Sequence, residues 1–165
     1  MNVTSIGGYA NWTNVSDARF KKNISSEGVK GLNFITALRP VTYNMNMEAM
    51  DDWRVRNYQK EKKSKEELNF EKEQTRYSGF IAQEVEAAAN STDYDFSGVD
   101  APKNDKDFYG LRYAEFVVPL VKAVQELNTT IENQKQQIIE LQNQEQQIIE
   151  LQNQVQVLLS KNKKP

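Results

Sequence analysis

Ser16 and Lys21, five positions apart, are the candidate catalytic residues of this chain. A neutral lysine amine can take a proton from a serine hydroxyl, and serine–lysine pairs act as nucleophile and base on several folds. In a regular helix, residues five apart lie about 140° apart around the axis, which separates their side chains. If Ser16 stands at or just before the N-cap of a helix, however, Lys21 can reach it, because helical side chains lean toward the N-terminus.

A second interpretation gives this segment no chemistry, and the residue types alone favour it. Ser16 or Asp17 then caps a short helix whose exposed face carries Arg19, Lys21 and Lys22. A lysine that works as a base near neutral pH also needs burial and neighbouring positive charge. Arg19 and Lys22 would supply such charge, whereas Asp17, four residues before Lys21, would oppose it.

The composition excludes several other kinds of site. The chain has no histidine and no cysteine, so it cannot build a Ser-His-Asp or Cys-His site, a disulfide or a cysteine-based zinc site. We expect no metal and no cofactor. A formal net charge of -2 gives no reason to expect nucleic acid as a partner. No apolar run of about 18 residues occurs, so we expect no membrane-spanning segment.

The segment from Val117 to Leu158 is predicted to be one long helix that forms a coiled coil. Its apolar residues recur at spacings of three and four, which keeps a narrow stripe facing a partner helix. We call this set the apolar stripe: Val117, Leu120, Val124, Leu127, Ile131, Ile138, Leu141 and Ile148. Val124, Ile131 and Ile138 take a positions, and Leu127 and Leu141 take d positions. Gln134 and Glu145 are polar members of the same seam, and the pattern leaves the number of strands open.

The heptad pattern changes in the distal half of this helix. Residues 136–144 repeat as residues 146–154, an offset of ten residues rather than seven. A continuous seam would then run through Ile148, Leu151, Val155 and Leu158 after a stammer that locally overwinds the helix. The alternative is that the repeat is only a low-complexity Gln/Asn-rich sequence in a fraying tail, without a continuous seam.

The preceding residues predict a small lobe of short helices and strands. We expect helices over residues 29–38 and 82–89, strands over 41–45, 75–81 and 108–111, a charged helix or hairpin over 51–74, and a loop over 90–106. Arg39-Pro40 should end the first helix, and Val85 and Ala88 should face inward on the second. Pro119 limits where the long helix starts: either the helix begins near Val118 with Pro119 in its first turn, or it bends at Pro119.

Four motifs in this order resemble the C-terminal intramolecular chaperone of endosialidase-type phage tail spikes and fibres, which also occurs in myelin regulatory factor. Together they span roughly residues 14 to 127. The motifs are Ser16-Asp17-x-Arg19-x-Lys21 with Ile24; Leu38-Arg39-Pro40-Val41-x-Tyr43; Gly79-Phe80-Ile81-Ala82-Gln83-Glu84-Val85; and Tyr113 with Pro119-Leu120 and Ala123-Val124-Gln125-Glu126-Leu127.

The resemblance implies an α+β fold in which small lobes surround a three-stranded C-terminal coiled coil in a homotrimer. The predicted divisions are a lead-in over residues 1–15, the chaperone lobe over 16–116, and the coiled-coil helix with its tail over 117–165. It also implies that the domain helps an upstream fibre of the same polypeptide to trimerise and fold. A location in a virion tail fibre or spike, or a bacterial surface fibre, would follow.

The resemblance further implies that the chain cuts itself at the Val15–Ser16 bond, with Ser16 as nucleophile, Lys21 as base, and Asp17 and Arg19 in support. Attack on the Val15 carbonyl by its neighbouring hydroxyl passes through a five-membered ring and gives an ester that water hydrolyses. Direct attack by Ser16 of another subunit is the geometric alternative. Asn14, Arg19 and backbone N–H groups are the candidate donors to the oxyanion.

Two other functions compete with self-cleavage. The chain could be a structural trimerisation cap that chaperones without cutting. It could also be an acidic adaptor that displays residues 48–73 to a partner.

Overall fold

A computed structural model of the chain describes residue 9, residues 13–63 and residues 70–161. The fold is α+β, as predicted, with short helices, two small antiparallel sheets and one long C-terminal helix. The helices are α1 (Leu32–Ala37), α2 (Met47–Tyr58), α3 (Phe70–Gln74), α4 (Ala82–Ser91) and α5 (Val117–Lys161), and the strands are β1 (Val41–Tyr43), β2 (Tyr77–Gly79), β3 (Val99–Asp100) and β4 (Gly110–Leu111). Single 3-10 turns occur at Ala18–Phe20 and Tyr113–Phe116.

The first sheet is the antiparallel pair β1–β2. Val41 lies opposite Gly79, and Tyr43 lies opposite Tyr77 with its ring stacked at 5.8 Å. The charged segment is inserted between these strands and forms α2 and α3, so the predicted helix is confirmed there. Residues 64–69 of the predicted segment lie outside the described residues. The two ends of the insertion are joined by a hydrogen bond in which the Asn44 side-chain amide donates to the Thr75 backbone carbonyl at 2.9 Å.

The core of the lobe lies between α1, α4 and α5. Its most buried side chains are Phe34 at 0% exposure and Val85 at 1%. Phe34 contacts the rings of Tyr94 and Phe96 at centroid distances of 5.1 and 4.8 Å. Val85 and Ala88 are buried on α4, as the sequence predicted. Aromatic side chains fill this small core because each removes a large apolar area from water.

The structure corrects two sequence-based boundaries. Helix α1 begins at Leu32 rather than Val29, because its first turn is fixed by a contact from α5 that is described below. The predicted loop over residues 90–106 contains β3, which pairs with β4 through Val99 opposite Leu111. A two-residue strand is too short to produce an alternating apolar pattern, so no sequence pattern indicated it.

Helix α5 begins with Pro119 in its first turn, as predicted, and runs for 45 residues. At 1.5 Å per residue its length is about 68 Å, far longer than the lobe requires. Pro119 and Ala123 lie four residues apart on one face and are buried, and α1 packs along this part of the helix. The apolar stripe lies on a different face of α5 and is exposed. Its a and d side chains from Val124 to Leu141 are 44–64% accessible.

Candidate active site

Ser16 and Lys21 lie on either side of a single 3-10 turn. Asp17 is the N-cap of this turn, and its carboxylate accepts a hydrogen bond from the Arg19 backbone N–H at 2.9 Å. The Phe20 N–H donates to the Asp17 carbonyl and the Lys21 N–H donates to the Ala18 carbonyl, each at 3.1 Å. A short polar side chain at this position satisfies a backbone donor that would otherwise have no partner, which is why Asp17 starts the turn.

The turn brings the Nζ atom of Lys21 to 2.8 Å from the Oγ atom of Ser16. Ser16 precedes the N-cap and Lys21 follows the turn with an extended backbone (φ -105°, ψ 140°). The two residues therefore do not obey the 140° separation of a regular helix, and their side chains meet on one side. A distance of 2.8 Å allows a proton to pass between an amine and a hydroxyl.

Asp17 is paired with Arg19 rather than with Lys21. The Arg19 guanidinium donates to both carboxylate oxygens of Asp17, at 3.0 Å from Nε and 2.6 Å from Nη2. These hydrogen bonds hold the pKa of Asp17 below its ordinary value and raise the pKa of Arg19. The Asp17 carboxylate, whose negative charge was expected to disfavour a neutral Lys21, thus forms its hydrogen bonds with Arg19.

The site is open to solvent in the single chain. Ser16 and Lys21 are both exposed, and the apolar side chains around them are exposed as well: Val15 at 82%, Phe20 at 73% and Ile24 at 73%. Asn14, a candidate oxyanion donor, forms no hydrogen bond within the described residues. This segment therefore has the geometry for proton transfer and lacks the dry surroundings in which a lysine loses its proton near neutral pH.

The other three sequence motifs meet in the lobe, away from this turn. Val41 pairs with Gly79, the Arg39 guanidinium forms an ion pair with Glu84, and the Tyr113 hydroxyl accepts the Phe80 N–H at 3.2 Å. Gly79 is required at this point, because a Cβ atom there would lie 2.3 Å from the Tyr113 hydroxyl. These motifs build the fold, and the first motif alone brings together groups suited to catalysis.

Glu84 and Glu86 point to different sides of α4, as two residues separated by two positions on a helix should. Glu84 pairs with Arg39, and Glu86 accepts a hydrogen bond from the Tyr109 hydroxyl at 2.8 Å. Among the described residues, no group of three or more carboxylates is arranged to hold a metal ion. The same residues contain no helix long and apolar enough to cross a bilayer.

Comparison with known proteins supports the resemblance. Residues 16–94 match the model of a peptidase family described as chaperone of endosialidase. The matched segment begins at Ser16 and ends within the loop after α4, just under half of the chain. No curated protein and no solved structure matches the chain.

The match confirms the resemblance that the four motifs predicted. It supports an intramolecular chaperone role, and the matching family is one of peptidases.

Proposed function

We propose that this chain is an intramolecular chaperone that assembles as a homotrimer and then cuts itself at the Val15–Ser16 bond. The observation that carries the catalytic part is the 2.8 Å contact between Lys21 Nζ and Ser16 Oγ. The exposed apolar stripe of α5 supports self-association, because within the described part of the chain no other element covers these side chains. The partner is a second and third copy, and the client is the upstream segment of the same polypeptide.

The reaction begins with a neutral Lys21 amine, which accepts the proton of the Ser16 hydroxyl. The Ser16 oxygen attacks the carbonyl carbon of Val15 and forms a tetrahedral oxyanion in a five-membered ring. The Lys21 ammonium then gives its proton to the Ser16 nitrogen, the C–N bond breaks, and Val15 is left as an ester of Ser16. Water hydrolyses this ester, which leaves a carboxylate on Val15 and a free amine on Ser16. Direct attack by the Ser16 hydroxyl of a neighbouring copy is the alternative first step.

The exposure of the site supports a link between assembly and cutting. A lysine needs desolvation to become a base, and Lys21 is exposed in the single chain. Val15, Phe20 and Ile24 would be covered if this segment lay against a neighbouring copy, which would remove water from Lys21 at the same time. Cleavage would then report correct assembly, and residues 1–15 would be the piece that separates from the chaperone.

The test is the intact mass of the purified 165-residue chain over time. We expect a species that begins at Ser16, which is abolished by Ser16→Ala and by Lys21→Met. Lys103→Met is the matched control, because it removes an exposed lysine in the loop between β3 and β4, outside the segment that carries Ser16 and Lys21, and it should be cut. Light scattering should give close to three times the chain mass of 19.0 kDa.

The second candidate function is a trimerisation cap that never cuts. The exposure of Ser16 and Lys21 in the single chain favours it, because an exposed site lacks the dry surroundings that a lysine base needs. Full-length protein as the only species in trimeric wild-type samples would support the cap over the peptidase. The acidic adaptor is not favoured, since Lys62 forms ion pairs with Asp52 and Glu48, and Arg54 with Asp51, within the charged segment itself.

A further inference from the structure

The segment that carries Ser16 and Lys21 is attached to the lobe at one point. We call residues 13–30 the dyad arm. Every hydrogen bond and ion pair that it makes within the described residues stays inside the arm. The arm ends at Gly31, which is buried and stands immediately before α1. The position of the dyad relative to the rest of the molecule is therefore set at this junction.

Helix α5 holds the junction through Glu126 and through close backbone contact. The Leu32 N–H donates to Oε2 of Glu126 at 2.7 Å, a hydrogen bond between residues 94 positions apart. A Cβ atom on Gly31 would lie 2.7 Å from the Ala123 nitrogen and 2.8 Å from the Lys122 carbonyl carbon. Only glycine allows α1 to approach the α5 backbone this closely. The carboxylate takes one of the N–H groups that a helix start leaves without a partner.

The same turns of α5 carry the apolar stripe on another face. Glu126 follows Val124 by two positions, which places the two side chains about 200° apart around the helix axis. Val124 is 64% exposed, while Ala123, on the side of α1, is 4% exposed. The same stretch of helix thus holds the base of the arm and, on the adjacent face, offers the exposed apolar stripe to other copies, since Leu120 and Leu127 lie three and four positions from Ala123.

We propose that Glu126 is a positioning residue for self-cleavage. Its contacts with Leu32 and Gly31, which we call the clasp, connect α5 to the base of the dyad arm, so that assembly of the α5 helices sets the position of the arm. This inference rests on the proposed function above. Packing of α5 against two further copies fixes the helix around residues 117–131, and the clasp then fixes the start of α1 and the base of the arm. The dyad is thereby carried to a constant place on the assembled molecule, where a neighbouring copy can cover Lys21.

The test compares cleavage rates of full-length trimers, with the oligomeric state checked by light scattering. Loss of a hydrogen bond to a charged acceptor predicts cleavage at least about tenfold slower in Glu126→Ala. Glu126→Gln should restore the rate to within about threefold of wild type, because its amide oxygen can accept the same N–H. Glu132→Ala is the matched control on the same helix, since Glu132 pairs only with Lys135 on the surface, and it should be cut at the wild-type rate.

A second readout follows the clasp directly. Hydrogen exchange of the Leu32 amide should be slow in wild-type and Glu126→Gln trimers and fast in Glu126→Ala. Gly31→Ala keeps the carboxylate but forces α1 away from α5, so it should slow cleavage as Glu126→Ala does.

Each outcome decides the proposal. Glu126→Ala trimers that are cut as fast as wild type, or a Gln variant that fails to restore the rate, would overturn it. A Leu32 amide that exchanges freely in wild-type trimers would overturn it without any variant, even if the Ala variant did not fold. Wild-type trimers that are never cut would overturn the proposed self-cleavage first, and the regulatory role with it.

Discussion

The amine of Lys21 lies 2.8 Å from the hydroxyl oxygen of Ser16, although both residues are exposed and neither touches the core of the lobe. One 3-10 turn arranges the pair, so the geometry for proton transfer exists in a single chain. In the proposed function, the activation of Lys21 is a separate step, because it requires the removal of water from a surface that one chain leaves open. In this proposal, the turn of a single chain arranges the Ser16–Lys21 pair, and assembly of the chains activates Lys21.

Asp17 should be needed for the turn rather than for the chemistry. Asp17→Ala removes both the N-cap and the partner of Arg19, and we expect cleavage to be about fivefold slower because the turn that joins Ser16 to Lys21 is loosened. Asp17→Asn keeps an acceptor for the Arg19 N–H and should be cut at close to the wild-type rate. Single-turnover rates from intact mass would measure both, and an Ala variant that matched wild type would show that the turn needs no cap.

The turn should also hold over a wide range of pH. Its hydrogen bonds with Arg19 place the pKa of Asp17 below the ordinary value of 3.8. A lowered pKa means that the carboxylate stabilises the turn at every pH above that ordinary value and that this contribution is lost as the pH falls through the lowered pKa. The Arg19 amide shift in an NMR titration should therefore stay constant from pH 8 to about pH 5. A transition between those values would contradict the assignment, and Asp17→Asn, which cannot titrate, is the control.

Charges placed in the apolar stripe should prevent both assembly and cutting. Ile131→Asp with Ile138→Asp puts two carboxylates at a positions, where unpaired charges cannot be buried. We expect a monomer by light scattering and full-length chain by mass. The matched control, Asn133→Asp with Gln136→Asp, adds the same charge at the outward-facing c and f positions of α5 and should remain assembled and be cut. Cleavage by a monomeric stripe variant would disprove the link between assembly and activity.

The lobe should depend on Phe34 far more than on the exposed phenylalanine beside the dyad. Phe34 is fully buried against Tyr94 and Phe96, so Phe34→Ala should lower the free energy of unfolding by about 3 to 5 kcal/mol. Phe20 is 73% exposed, and Phe20→Ala should change the free energy of unfolding by less than about 0.5 kcal/mol. Urea denaturation of the two variants would measure the difference, and similar losses would contradict the core described above.

Features that depend on neighbouring residues could be read from the sequence. The spacing of apolar residues predicted α5, its start at Pro119, and the inward face of α4 with Val85 and Ala88. The condition under which Lys21 would reach Ser16, a serine just ahead of a cap, was also a local one, and the 2.8 Å contact meets it. The catalytic roles of these residues and of Asp17 and Arg19 stay predictions.

Features that depend on residues distant in sequence were decided by the tertiary structure. The pattern over residues 29–38 predicted a helix but did not indicate that Phe34 would be its most buried side chain, which results from its contacts with Tyr94 and Phe96. The motif that contains Glu126 did not indicate which group its carboxylate would bind, because the donor, the Leu32 N–H, lies 94 positions away in the sequence. Local patterns record which face of an element is apolar. They do not record which element will lie against that face, because packing is a joint property of surfaces that meet only after the chain has folded.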